Sequence, residues 1–125
     1  MLKDKMVAAT LPAVDLERAR KFYEEKLGLK VTQTDMGGVM LQAGGGTALY
    51  LYQRGPTKAD HTVASFNVDS IEAEMSELGA KGIVFEELDI PQMHIKTING
   101  LATIDGVKMA WFKDTEGNIL SLVQM

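Results

Sequence analysis

The sequence contains no cysteine among its 125 residues. Disulfides, thiolate metal sites and a cysteine nucleophile are therefore excluded, and a reducing compartment suits the chain. No stretch approaches the ~20 apolar residues that a membrane-spanning helix needs. Residues 1–13 also lack the apolar segment of a signal peptide, so we expect a cytoplasmic protein without membrane contact.

Basic clusters are equally scarce. The formal net charge is −4 and the pI about 5.1, and no cluster of Lys and Arg is longer than residues 18–21. A nucleic-acid partner would require a basic stripe, so none is predicted. The apolar fraction of 46% and the charged fraction of 24% are ordinary for a globular protein. The length predicts one domain spanning residues 1–125.

Common cofactor and nucleophile motifs are absent. The chain has no Gly-x-x-x-x-Gly-Lys phosphate loop and no Gly-x-Ser-x-Gly elbow. The triple glycine at 44–46 is not followed by a helical pattern, which makes it a turn and not a dinucleotide loop. We therefore predict no cofactor.

The first half of the chain predicts a strand, a helix and three further strands. Residues 6–13 form the first extended run, and Asp15 suits the N-cap of an amphipathic helix that ends at Gly28. The following extended runs are 29–34, 38–42 and 47–53. Glycines separate them.

The second half repeats that order. A strand is predicted at 61–68, and Asp69 with Glu72 three residues later forms a capping-box pattern before a second helix. Further extended runs are 83–88, 107–113 and 118–124, with a hairpin turn at 115–117.

A shift of 54 residues superposes Val14–Asp15 on Val68–Asp69 and Gly28 on Gly82, and the order of elements repeats with it. The duplication predicts an α+β fold of two βαβββ modules, one at about 1–55 and the other at about 59–125. Each module would be a cupped mixed sheet with one helix packed outside.

Side chains alternate along the predicted strands. In the fourth strand Leu49 and Leu51 oppose Tyr50 and Tyr52, because neighbouring residues of a strand point to opposite faces. The leucine face suits a covering helix. The aromatic face suits the lining of a cavity, or alternatively a sheet surface exposed to water.

Two stretches resemble a known family. Residues 11–31 have Asp before a helix, Phe-Tyr in its middle and Leu-Gly at its end, and residues 110–122 have an aromatic pair followed by Asp-x-x-Gly-Asn. In both respects the chain resembles short, two-module members of the vicinal-oxygen-chelate superfamily, which includes glyoxalases, bleomycin-resistance proteins and extradiol dioxygenases. The resemblance implies the two-module fold and a two-fold homodimer. It leaves open whether the protein is a metal-dependent enzyme or a metal-free binding protein.

The metal positions that the resemblance implies fall on Ala8, Tyr50, Val63 and Ser121. None of these side chains is an imidazole or carboxylate of the kind that such metals prefer. We therefore predict a metal-free site.

The same reasoning predicts a ligand cavity, with Tyr50, Tyr52 and Trp111 as an aromatic wall for a planar or cationic molecule. The segment 89–106 is interpreted as a flap over this cavity, or alternatively as one more irregular strand. The predicted ligand-binding residues are Tyr50, Tyr52, Val63, Ser65, Met93, Trp111 and Ser121.

Two histidines are the candidates for chemistry. His61 and His94 could supply a general base, or a displaced metal site completed by Asp60 or Glu86. Alternatively, both are ordinary surface residues. The sequence thus favours a protein that binds a small, largely apolar or cationic molecule. The alternatives are a lyase, isomerase or dioxygenase with an atypical metal or histidine site, and a pure interaction role.

Overall fold

The computed structural model describes residues 1–125 and divides them into two compact units. The first unit is Met1–Lys58 with Thr115–Asn118, and the second is Ala59–Asp114 with Ile119–Met125. Each unit contains one four-stranded mixed sheet. The α+β class with two βαβββ modules, predicted from the duplication, is confirmed.

The first unit follows the predicted order of elements. Its sheet has the order β1-β4-β3-β2, with β1 parallel to β4 and the other pairs antiparallel. The elements are β1 (Ala9–Ala13), α1 (Leu16–Lys21), a π-helical turn (Phe22–Lys26), β2 (Lys30–Thr34), β3 (Gly38–Gln42) and β4 (Ala48–Gln53).

Local sequence accounts for these boundaries. The Asp15 carboxylate accepts a hydrogen bond from the Arg18 amide at 3.0 Å, which caps α1 as predicted. Gly28 has a φ of 75°, the left-handed conformation that ends the helix. Leu49 and Leu51 are buried, and Tyr50 on the opposite face is half-buried. The apolar face of β4 is therefore the core face. The first strand begins at Ala9 and not at residue 6.

The second unit has the sheet order β5-β10-β9-β8, in which β5 is parallel to β10. A separate two-stranded hairpin, β6–β7, contains a 3₁₀ turn at Pro91–Met93. The elements are β5 (Thr62–Asn67), α2 (Ile71–Ala80), β6 (Asp89–Ile90), β7 (Ile95–Lys96), β8 (Ala102–Ile104), β9 (Val107–Lys113) and β10 (Ile119–Gln124).

The strand predicted at 83–88 was wrong. These residues form no strand, although the Glu86 amide donates a hydrogen bond to the Trp111 carbonyl at 2.8 Å. The place in the sheet is taken by β8, which lies inside the segment interpreted as a flap. Asn99 and Gly100, both with positive φ, turn the chain just before that strand. Alternation alone could not reveal which extended run pairs with β9.

The capping pair predicted for the second helix was also wrong. The N-cap of α2 is Ser70, whose hydroxyl accepts a hydrogen bond from the Ala73 amide at 3.4 Å. Glu72 instead accepts a hydrogen bond from Lys108 at 2.6 Å, which lowers the pKa of Glu72.

No helix of the structure is both long and apolar enough to cross a membrane.

A buried carboxylate on the turn between β9 and β10 caps α1 within the first unit. The Glu116 side chain is 1% exposed and accepts hydrogen bonds from the amides of Val14 and Asp15, at 2.9 and 3.0 Å. Arg18 donates a third at 2.8 Å. Burial acts to raise the pKa of Glu116, but the hydrogen bonds from Arg18, the Asp15 amide and Thr115 outweigh it and lower the pKa to about 2. The negative charge also suits the N-terminus of a helix.

We expect Glu116→Gln to destabilise the protein by about 2 kcal/mol at pH 7, because the pKa of Glu116 falls from 4.5 to about 2 on folding. A lowered folded-state pKa gives stabilisation that is present above 4.5 and lost as the pH falls through about 2. Urea unfolding at several pH values measures the free energy of unfolding of both proteins. The difference between wild type and variant should become smaller below pH 5. Glu77→Gln, on the exposed face of α2, is the control, and its free energy of unfolding should equal that of the wild type. A difference independent of pH would contradict the assignment.

Candidate functional site

The second unit contains a cavity of about 590 Å³ on one face of its sheet. Its floor is formed by three adjacent strands, β5, β10 and β9, and its walls by the residues that follow α2. Apolar side chains predominate. The lining residues are Asp60, His61, Thr62, Ser65, Glu86, Leu88, Ile90, Met93, Ile95, Met109, Trp111, Lys113, Ile119, Ser121 and Val123.

The floor is built from rows of residues that are paired across the strands. Ser65, Ser121 and Trp111 form the middle row, because Ser121 is in register with Ser65 on one side and with Trp111 on the other. Neighbouring strands are about 4.8 Å apart, so the row spans roughly 10 Å. The Oγ atoms of the two serines are 2.6 Å apart. A hydroxyl pair and an indole therefore lie side by side at the centre of the floor.

The β6–β7 hairpin forms an apolar wall. Ile90, Met93 and Ile95 line the cavity, and Ile95 belongs to a buried cluster with Ala102 and Trp111. A hydrogen bond joins the two ends of the hairpin, because the Leu88 amide donates to the Thr97 hydroxyl at 2.8 Å. The segment interpreted as a flap therefore contributes residues to the cavity, and its last part is the sheet strand β8.

The acidic and basic lining residues form a rim, which we define as Asp60, His61, Glu86 and Lys113. Lys113 Nζ lies 3.8 Å from Glu86 Oε1, and His61 Nδ1 lies 3.9 Å from Asp60 Oδ1. The His61 side chain is 72% exposed. These distances are long for hydrogen bonds, so the rim charges are loosely associated and reach solvent.

Four of the predicted ligand-binding residues line this cavity, namely Ser65, Met93, Trp111 and Ser121. Val63 does not. A β-bulge leaves it without a partner between the Thr62–Ile119 and Ala64–Leu120 pairs. The extra residue shifts the alternation, so that Thr62 lines the cavity in its place.

The two tyrosines lie in the first unit and do not line this cavity. The Tyr50 hydroxyl lies 3.2 Å from Asp35 Oδ2, to which it donates a hydrogen bond. Partial burial, followed by this bond to Asp35, raises the pKa of Tyr50. A Cβ atom added to Gly38 would overlap the Tyr50 ring, so the ring packs directly on the β3 backbone. A role for Tyr50 and Tyr52 in ligand binding stays a prediction.

The histidines do not come together with other ligating groups. His61 is on the rim, whereas His94 follows the 3₁₀ turn with a φ of 56° and is not a lining residue. No cluster of three or more His, Cys, Asp or Glu side chains in the chain could hold a metal ion.

The metal centre that the fold family implies does not fit the residues present. Of the four implied positions, Ala8 lies before β1 and, like Val63, is apolar. The Tyr50 hydroxyl is hydrogen-bonded to Asp35, and the Ser121 hydroxyl is hydrogen-bonded to Ser65. Neutral hydroxyls and methyl groups do not replace imidazole and carboxylate ligands. No reaction step through a metal can be assigned to this site.

Several lining residues were missed by the sequence analysis. Met109 and Lys113 share the strand parity of Trp111. Period-two alternation would have identified them once the face of Trp111 was known. The hairpin residues had no comparable signal, because a two-residue strand has no periodicity.

Residues 5–44 match a protein family described as bleomycin resistance protein-like N-terminal. No curated protein matches the whole sequence significantly. Solved structures match it over nearly its entire length. A glyoxalase family protein from Enterococcus faecalis has 22% identity and a TM-score of 0.75, covering 98% of this chain and 99% of that one.

Lactoylglutathione lyase from Agrobacterium tumefaciens is 17% identical with a TM-score of 0.74, over 99% of this chain and 96% of that one. The chain has the vicinal-oxygen-chelate fold. The resemblance found in the sequence is thereby confirmed. A third protein of this fold is TnmS3, an antibiotic-binding protein from Streptomyces sp. CB03234, with 21% identity, a TM-score of 0.70, and coverage of 99% of this chain and 98% of that one. The vicinal-oxygen-chelate fold is thus shared by proteins named for catalysis and for binding.

We expect Gly38→Ala to destabilise the protein by about 1–3 kcal/mol, because the new methyl group overlaps the Tyr50 ring and the Leu51 carbonyl. The control is Gly44→Ala, where an added Cβ has no neighbour within 4 Å. Urea unfolding of the two variants measures the difference. Equal stabilities would show that the Tyr50 ring does not pack on β3.

Proposed function

We propose that this protein binds a small, largely apolar or cationic molecule in a metal-free cavity of its second unit. The observation that carries the proposal is the cavity of about 590 Å³ with Trp111 in its floor. Ligand sites are commonly clefts of roughly 300–1,000 Å³ with mainly apolar walls and a few placed polar groups. The apolar wall and the central hydroxyl pair correspond to that description.

Trp111 supplies the face against which a planar ligand would stack. It is 8% exposed and packs with Ile95 and Ala102, so its ring is held in place before a ligand arrives. An ordered aromatic surface reduces the entropy lost on binding. Met93 and Met109 beside it can adapt to ligands of different shape.

The rim supports a cationic end on the ligand. Asp60 and Glu86 are acidic, and Lys113 is the single permanently basic residue of the lining. An ammonium group at the mouth of the cavity would therefore meet a net negative potential while its apolar body lies on the floor. The resemblance further implies a two-fold homodimer, and the residues of the N-terminal segment favour a cytoplasmic protein. We include both in the proposal.

The relatives support binding and do not exclude catalysis. TnmS3 is named for antibiotic binding and the Agrobacterium protein for a lyase activity, and both share this fold. Function therefore has to be argued from the site. The observation that favours an enzyme is the position of His61 and Asp60 on the rim, where a general base or an atypical metal site could act on a bound molecule.

We expect indane, a neutral bicycle, and 1-aminoindane, its cationic analogue, to bind this cavity. Trp111 is the only tryptophan, so its indole N–H gives a single resonance in a ¹⁵N–¹H NMR spectrum that reports on the cavity floor. Both probes should shift this resonance saturably. Ser65→Leu, which adds bulk to the floor, should weaken the binding of both probes at least tenfold. Ser76→Leu, on the exposed face of α2, should not. No shift in the wild type would contradict the proposal.

A metal measurement distinguishes the enzymatic alternative. After incubation with excess Zn²⁺, Fe²⁺, Ni²⁺ or Mn²⁺ and removal of free ion, we expect background metal by inductively coupled plasma mass spectrometry, because the chain presents no cluster of ligating side chains. His61→Ala should behave like the wild type. Near-stoichiometric metal that His61→Ala abolishes would contradict the binding proposal and favour the enzyme.

A further inference from the structure

The middle of the cavity floor holds a pair of serine hydroxyls. Ser65 Oγ and Ser121 Oγ are 2.6 Å apart; Ser121 is only 3% exposed, whereas Ser65 is exposed. The pair arises because β5 and β10 run parallel with these two residues in register beyond the bulge. In the same row Trp111 is apolar over most of its surface. The neighbouring floor residues Ile119 and Val123 are entirely apolar.

The pair has one more hydrogen than it uses. Each serine hydroxyl carries a single donor hydrogen, and the mutual bond consumes one of the two. Neither side chain makes any other hydrogen bond within the chain. The second hydrogen therefore has no protein acceptor, and the surrounding methyl and methylene groups cannot provide one. Because Ser65 is exposed, water can reach this hydrogen while the cavity is open. A ligand that covers the pair excludes that water, and it leaves the hydrogen unpaired unless it brings an acceptor of its own.

Resting on the proposed function, we infer that the molecule bound here is an aromatic compound with a neutral oxygen acceptor, such as a ketone, on the edge of its ring system. Ser121 is beside Trp111 on the adjacent strand, about 4.8 Å away across the sheet. A ring stacked on the indole thus places an oxygen on its edge within reach of the serines. Such an acceptor receives the spare hydrogen and completes the pair's hydrogen bonds.

The charges on the rim favour a neutral acceptor over a carboxylate. Asp60 and Glu86 would repel an anionic ligand, and Lys113 lies within 3.8 Å of Glu86, which offsets its charge. The floor itself has no cation. The same site accordingly accepts a carbonyl at the serines and a cationic group at the rim.

The test compares 1-indanone with indane, which differ by one carbonyl, using the Trp111 indole resonance to measure both dissociation constants. The quantity measured is the ratio of the indane constant to the indanone constant. In Ser65→Ala/Ser121→Ala this ratio should fall about tenfold from its wild-type value, as expected for one lost hydrogen bond. Comparing ratios cancels the different hydration of the two probes.

The single variants show whether either serine of the pair can donate to the ligand or whether one particular serine is required. Ser65→Ala and Ser121→Ala each keep one hydroxyl, whose hydrogen is then free for the ligand, so each should retain most of the preference. Ser76→Ala controls for a serine outside the cavity and should keep the whole ratio. If either single variant lost the whole preference for 1-indanone, the inference that the two serines act as a pair would be wrong.

The two proposals fail differently. If both probes bind the wild type and the double variant leaves the ratio unchanged, the acceptor inference is wrong and the binding function stands. If neither probe moves the Trp111 resonance of the wild type, the proposed function fails and the inference fails with it.

Discussion

The antiparallel register between β9 and β10 is the constraint on which the cavity depends. The pairing runs without interruption from Lys113–Ile119 to Lys108–Gln124 and places Trp111 opposite Ser121. A slip of one residue would turn the whole lining face of β10 toward the core, because side chains alternate with a period of two. The aromatic surface and the hydroxyl pair would then be lost together.

The turn between these strands is held by hydrogen bonds of two of its side chains, Glu116 and Asn118. Glu116 is buried and receives the amides of Val14 and Asp15, while Asn118 donates to the Pro12 carbonyl at 2.9 Å. The two bonds to Glu116 satisfy amides at the start of α1 that have no partner inside the helix, whereas the Asn118 bond satisfies a carbonyl of β1. Glu116, a residue of the hairpin turn, therefore also caps α1. A hairpin whose turn is held in this way is less free to change register.

The sequence predicted what depends on local pattern and missed what depends on pairing partners. Gly28 and Asp15 act as helix boundaries through their own backbone or side chain, so they could be identified in isolation. Val63 is displaced from the cavity by one unpaired residue, which alternation cannot show. Residues 83–88 begin with three consecutive apolar residues and were predicted to be a strand, yet β8 pairs with β9 in their place. The faces of Ser65 and Ser121 were predicted because regular pairing holds there.

The distribution of charge argues for binding as the chemistry of this site. The formally charged lining residues, Asp60, Glu86 and Lys113, are on the rim, whereas the floor offers the hydroxyls of Thr62 and the serine pair and an indole. A neutral floor has neither the carboxylates that hold a divalent cation nor the fixed positive charge that stabilises a developing anion. It can order a flat molecule against Trp111 and satisfy one acceptor on its edge. This floor therefore supports the proposed recognition of an apolar body through one polar contact.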